Sequence, residues 1–484
     1  MSQIKAGMVK VVISGAGLNK GKTVHDDLFG GVLYTCDGKK EMVLITLDSC
    51  GFVQDVVDKV KSVISRSTGI KRDNIFTLSS HTHSDTAFDP NKLGMTLGRA
   101  VKAAKKNAKP ALVGYTRAPV TKKYCVNRRI KVKGVGALTI IYANRTNADI
   151  RTGKVDVFGQ VYDFIRYGIS LYSPKYKLAG AFADAMSADI SKKQETLLKN
   201  LPKKIYLTKN IDPYMDILSF KDKNGKTIGA VIRMCCHPVI FHKCGNTMIS
   251  ADYPGVLTRE VSKFIKAPAV FVNGPCGDVK PVFTASGEEE MERFGKALSE
   301  EAIKLFKKIK YKPLEKVTLE REAYKYKPWP QFKGLKDKDL ETAWDKAHKT
   351  IEKPFDPEKV RQFIDRGMRL WGGLAFTNKS RNFNLPIYIF GLNDIALVTL
   401  PGEILTKIPL SIYKAFKGRK IIIGALGDGV DTALYVPTKD EFKYGGYEAS
   451  TCGLVKGSGE KMIEISKRLL KQFYKKQEKN ASGH

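Results

Sequence analysis

No apolar run in this sequence approaches the roughly 18–20 residues that a membrane-spanning helix needs, which argues against a helical integral membrane protein. No CxxC pair is present, so a cysteine zinc site is not expected. The eight cysteines (Cys36, Cys50, Cys125, Cys235, Cys236, Cys244, Cys276 and Cys452) follow no disulfide-framework spacing. Most sit in or beside apolar, strand-like runs, where a free thiol behaves as a small buried hydrophobe; this usage fits a reducing compartment. The N-terminal MSQIKAGMVKVVISGAG lacks a compact apolar stretch followed by a small-residue cleavage site. The expected location is therefore cytoplasmic, or secreted or periplasmic if a leader has been trimmed. Acidic residues are scarce: 49 Asp and Glu stand against 83 Lys and Arg, a formal charge of +34. Such a field favours anionic partners, although a lysine-rich proteome would give the same excess. Specific nucleic-acid binding is not expected, because the basic residues are spread along the chain and form no familiar motif. Repeats and low-complexity linkers are also missing.

What remains is a folded α/β protein. Hydrophobic residues make up 43% of 484, enough for a large core. Met42 to Leu47 reads as a strand. The next segment is helical, with Phe52, Val56, Val60 and Val63 on one face and Gly69 near its end, and IFTLSS is a second strand. Strand, helix and strand within about 40 residues is the pattern of parallel strands joined by a crossover. The same grammar returns in TIGAVIRMCC, VLTREVSKFI and APAVFV. It continues in a helix with Met291, Phe294, Leu298, Ala302 and Leu305 on one face. LPIYIFGLNDIALVTL reads as a hairpin turning at Leu392 to Asp394, followed by a helix from Leu405 to Phe416 and the strand KIIIGAL. Mixed sheets flanked by helices, forming a single catalytic domain over 1–484, are expected. The stretches 157–209 and 310–385 read as insertions or lid elements.

Four polar clusters follow apolar strands directly: Ser79 to Ser84, Cys236 to Pro238, Asn273 to Asp278, and Pro401 to Glu403. Strand ends of open α/β sheets are where loops converge on one ligand crevice. Of only seven histidines, His81, His83 and His237 fall in two of these clusters, and His242 follows closely on the second. In an extended segment the rings of His81 and His83 would project to one face, which suits two metal ligands or a ligand with a catalytic partner. A pair of hydrogen-bonded surface histidines is the plain alternative. Two histidines with a carboxylate leave room on zinc for water.

These clusters carry a resemblance to the neutral and alkaline ceramidases. SSHTHS resembles that family's His-Thr-His segment, and HPVIFHKCGNTMISADYPGV its His-Pro and Ile-Ser-Ala-Asp segments. NGPCGDVKP is similar to its Asn-Gly turn, LPGE to its glutamate turn, and LYVPTKDEFKYGGYEAS to its closing tyrosine segment. The order is kept from about residue 5 to residue 470. The resemblance implies zinc held by His81, His237, Glu403 and Tyr435; spacing alone would leave Tyr435 a half-buried strand residue. It implies that His83 acts beside the metal, that Arg128 holds a substrate oxygen, and that Tyr447 stabilises a developing oxyanion. Asp252 and Asp278 are expected to orient loops or histidines.

Two departures bear on function. Lys280 occupies the position where the family carries its proposed serine nucleophile, and the immunoglobulin-like C-terminal domain has no counterpart before the chain ends. The expectation is a zinc-dependent hydrolase of an amide or related bond in an anionic substrate, with zinc-bound water as nucleophile and Lys280 as a participant. The alternatives are a metal-assisted lyase that eliminates across an acidic, uronate-containing saccharide, and a non-catalytic binding protein on a hydrolase scaffold.

Overall fold

The computed structural model describes residues 4–18, 21–132, 136–139, 148–149, 154–156, 204–206, 208–241, 248–327, 383–429, 433–444, 447–450 and 452–481. His242, Cys244, most of the expected insertion at 157–209, and 328–382 of the second one lie outside the described residues.

The larger sheet is built from β1 (Lys5–Val12), β2 (Phe29–Cys36), β3 (Glu41–Leu47), β4 (Ile75–Ser79) and β5 (Lys109–Ala118). It is completed by β6 (Met215–Asp222), β7 (Thr227–Met234) and β8 (Ala269–Asn273), in the order β8-β7-β6-β5-β1-β2-β3-β4. A short strand, β9 (Tyr311–Pro313), also pairs with β5. The β3–β4 and β7–β8 pairs are parallel, as the strand-helix-strand pattern anticipates, and the intervening pairs are antiparallel. The second sheet runs β10 (Val317–Tyr326), β11 (Phe383–Leu392), β12 (Ile395–Thr399) and β13 (Lys420–Gly424). Residues 311–313 and 317–326, within the stretch read as an insertion, are thus strands of the two sheets. The β11–β12 hairpin turns through Asn393 and Asp394, with Asn393 at φ 54°.

The two sheets face each other. Phe76, Leu78, Phe220, Val270 and Val272 from the first meet Tyr388, Phe390, Leu397 and Ile422 from the second. Side chains alternate along β11, so Leu385, Ile387 and Ile389 point to the opposite side. There they pack with Ile408 and Ile412 of α5 (Lys407–Ala415) and with Ile465 and Leu469 of α6 (Ser458–Ala481). The outer face of the first sheet is covered by α1 (Gln54–Thr68) and α2 (Pro90–Lys106) at one end. At the other end it is covered by α3 (Asp252–Ile265) and α4 (Glu288–Phe306). The result is helices, sheet, sheet, helices. Each large aliphatic side chain buried in these seams contributes roughly 1.5–3 kcal/mol. α4 buries the five residues its periodicity assigns. No helix among the described residues is long and apolar enough to cross a membrane.

On α1 the buried face is rotated from the expected one. Val57, Val60, Lys61 and Ile64 are buried, whereas Val56 and Val63 are half-buried. The reason is Lys61: its Nζ reaches Asp428 Oδ2 at 2.6 Å and the Tyr388 hydroxyl at 3.0 Å. Asp428 also accepts from the Thr77 backbone N–H and hydroxyl, which fastens the loop after β13 to the strand leading to His81. A second buried cation, Arg233 on β7, pairs with Asp212 and Asp216. It also donates from Nε to the Ile423 carbonyl of the opposing sheet at 2.7 Å.

Candidate metal centre

The four strand-end clusters converge. His81 follows β4, His237 follows β7, and Glu403 follows β12; all three are buried. Asn273, at the end of β8, ties the first two turns together: its side-chain amide donates to the carbonyls of Ser80 and Cys236, each at 2.9 Å. Asp278 does the same for the others, accepting from the Thr406 backbone N–H and hydroxyl and from the Asn127 amide. Asp252 accepts from the backbone N–H groups of Phe241 and Tyr253. Both aspartates fasten loops.

His81 is not in an extended segment. Its φ is 73°, in the left-handed region, so the backbone turns at the first histidine of the pair. The rings of His81 and His83 consequently meet edge to face with centroids 4.8 Å apart, and their Nε2 atoms lie 3.3 Å from each other.

Tyr435 is brought in by strand pairing. Glu403–Ile404 and Tyr435–Val436 form a short parallel pair in which Glu403 sits directly beside Tyr435. The approach needs glycine at position 402: its φ is 97°, and a Cβ there would lie 2.8 Å from the Leu434 carbonyl oxygen. The Tyr435 hydroxyl stands 3.5 Å from His237 Nε2, and the two rings are nearly parallel.

Backbone carbonyls fix the histidine tautomers. His81 Nδ1 lies 2.5 Å from the Cys50 carbonyl oxygen, and His237 Nδ1 lies 3.0 Å from that of Val279. A carbonyl can only accept, so each Nδ1 carries hydrogen, and each Nε2 presents a lone pair when its ring is neutral. Both Nε2 atoms then face the same oxygen, Glu403 Oε2, at 3.1 Å each. Three electron-rich atoms are aimed at one point. Burial opposes a charge on His81, but the Glu403 carboxylate outweighs it and raises the His81 pKa well above the usual value. Burial also disfavours charge on Glu403, yet the His81 imidazolium holds its carboxyl well below the carboxylate range. His237 goes the other way: burial and then the Arg128 guanidinium lower it to about 4. A proton on His81 therefore relieves only part of the crowding, because His237 Nε2 stays bare near neutral pH.

His81, His237 and Glu403 could hold a divalent cation. Ligands about 2.0–2.1 Å from a tetrahedral zinc lie roughly 3.4 Å from one another, close to the 3.1–3.5 Å separations among His81, His237, Glu403 and Tyr435. A second group, Cys50, His81 and His83, overlaps the first at His81. Its shared imidazole already spends Nδ1 on the Cys50 carbonyl, which leaves the thiol, 3.7 Å from that nitrogen, on the margin of the cluster.

Around this cluster Arg128 is fully committed. Its Nε donates to Glu448 at 3.0 Å, and one terminal nitrogen donates to the Gly277 carbonyl at 2.9 Å and the Tyr435 hydroxyl at 3.0 Å. Arg129 and Thr139 share the other Glu448 oxygen. Glu448 was not singled out in the sequence; its one signal is a carboxylate next to Tyr447, and nothing in the spacing links it to a pair of arginines far upstream. Tyr447 begins the short helix Tyr447–Ser450, and its side chain lies outside the described residues. Lys280 is buried, and it belongs to the short strand Val279–Pro281 that pairs with Cys125–Asn127.

No protein family and no curated protein matches this sequence. Solved structures do. The neutral ceramidase from Pseudomonas aeruginosa is similar to the chain with a TM-score of 0.61 and 15% identity, covering 97% of this chain and 75% of that one. A ceramidase complexed with C2 gives a TM-score of 0.60 and 14% identity, with 97% and 76% covered. At these identities the likeness is one of fold: the chain has the ceramidase architecture over nearly its whole length.

Proposed function

We propose that the chain is a zinc-dependent hydrolase of an amide or related bond. The observation that carries this reading is the convergence of His81 Nε2 and His237 Nε2 on the buried Glu403 Oε2 at 3.1 Å each, with the Tyr435 hydroxyl 3.5 Å from His237, on a ceramidase-like fold. His81, His237, Glu403 and Tyr435 would hold the ion. Bound zinc supplies Lewis acidity, polarising a carbonyl oxygen and acidifying water.

The remaining roles fall to groups around that set. His83, half-buried at the edge of the cluster, would take a proton from the attacking water and return it to the leaving amine. Arg128 donates to the Tyr435 hydroxyl, which favours the phenolate, so its part is to charge and position a ligand. Tyr447 remains the proposed oxyanion donor. Water is the nucleophile in this reading, because Lys280 stands in place of the serine.

The test is a panel of amides, including long-chain ceramide, assayed with and without a chelator. Chelator-sensitive amide cleavage with negligible ceramide turnover is expected. Robust ceramide turnover would show that the Lys280 substitution has been misread. An ultraviolet-absorbing product from a uronate-containing saccharide would move the reaction to the elimination class.

A further inference from the structure

Four lysines and arginines are buried among the described residues: Lys61, Arg128, Arg233 and Lys280. Three of them have a buried carboxylate: Asp428 for Lys61, Glu448 for Arg128, and Asp212 with Asp216 for Arg233. Lys280 is 1% exposed and has none among the described residues. Its Nζ lies 3.5 Å from the Val282 carbonyl oxygen, beyond a good hydrogen bond. Holding an ammonium without a counter-charge inside a protein costs several kcal/mol, and among the described residues this amine keeps only that one long contact to a neutral carbonyl.

Its position says what the donor is for. Lys280 directly follows Val279, whose carbonyl holds the His237 ring, and it lies opposite Val126, two residues before Arg128. Burial and then the Arg128 charge pull its pKa down to about 7, so the amine stands within electrostatic reach of that guanidinium. Among the described residues the nearby carboxylates are committed elsewhere: Glu448 to Arg128 and Arg129, Glu403 to the two histidines, and Asp278 to Thr406 and Asn127. Among the described residues Lys280 is thus the buried basic side chain without a carboxylate of its own, next in the chain to the residue whose carbonyl holds His237.

Resting on the hydrolytic reading above, we propose that Lys280 receives a carboxylate carried by the substrate within a few bonds of the scissile carbonyl. The substrate class is then the N-acyl amino acids, where a carboxylate is built next to the amide, in place of neutral lipid amides. An ammonium–carboxylate pair formed in a buried site is charge-assisted and discriminates strongly against a neutral isostere.

The experiment separates binding from cleavage. The zinc-loaded full chain is titrated calorimetrically with a γ-keto acid, in which CH2 replaces the nitrogen of an N-acylglycine, and with the matching γ-keto amide. Neither probe can be hydrolysed. Wild type should bind the acid roughly 10- to 100-fold more tightly than the amide, and Lys280→Met should bring the two together. In parallel, Lys280→Met should raise KM for an N-acylglycine more than it lowers kcat. Circular dichroism and metal content identify a misfolded variant, in which case Lys280→Gln is substituted. Equal affinities in wild type, or a preference that survives in the folded variant, overturns the proposal. Tight acid binding without cleavage of any N-acyl amino acid upholds the Lys280 anchor and overturns the hydrolytic reading.

Discussion

Glu403→Ala should lose most of its bound metal and at least about 10³-fold in kcat/KM, while remaining folded. Glu403 Oε2 is the atom on which both histidine Nε2 atoms converge, and its charge raises the His81 pKa. On the proposed ligand set, removing it would delete one ligand and the charge that offsets the cation, and several kcal/mol of transition-state stabilisation would go with the metal. The fold should persist because four separate hydrophobic seams hold the sheets and helices. Metal analysis and steady-state rates on the purified variant check this. A variant that keeps its metal and its rate would remove Glu403 from the ligand set.

Glu448→Gln should cost about 3–5 kcal/mol of stability, since it leaves two guanidiniums sharing a buried site without their carboxylate. The effect should reach the chemistry too. Arg128 donates to the hydroxyl of Tyr435, the proposed fourth ligand, and loosening a partner behind a metal ligand costs about 10–100-fold in metal affinity or activity. Burial opposes the Glu448 charge, but Arg129 and Arg128 overcome it and depress the carboxyl below its ordinary 4.5. A depressed carboxyl contributes stability above its unfolded pKa and loses it as the pH falls through the lower folded value. Denaturant unfolding should therefore show the largest gap between wild type and variant near neutral pH, shrinking as the pH drops below about 4.5. A gap that stays constant into acid would mean that the carboxylate charge is not what stabilises the arginine pair.

Much of the architecture is legible in the sequence because it depends on periodicity. β11, β12 and β13 alternate between two apolar seams, and α4 places its five apolar residues on one face. The strand-end clusters are legible for a related reason: a polar run straight after a buried strand has to lie at a sheet edge, where loops meet. Periodicity fails where a polar group is buried for a partner distant in sequence. Lys61 turns α1 because Asp428 waits 367 positions away, and hydrophobic patterning gives no hint of it. The turn at His81 and the pairing that sets Tyr435 beside Glu403 are equally hidden, since each depends on backbone geometry at a single residue, φ 73° at His81 and 97° at Gly402. Arg128 could be singled out as a motif arginine, but its commitment to Glu448 and Tyr435 appears only when Cys125–Asn127 is docked against Val279–Pro281.

X-ray absorption at the zinc edge of the purified, zinc-loaded chain tests the central claim most directly. The ligand set His81, His237, Glu403 and Tyr435 requires a shell of nitrogen and oxygen neighbours at roughly 2.0–2.2 Å, with outer-shell scattering from two imidazoles and no sulfur. A sulfur neighbour near about 2.3 Å would place the ion on Cys50 with His81 and His83 instead. A folded chain that takes up no zinc at all would contradict the account outright.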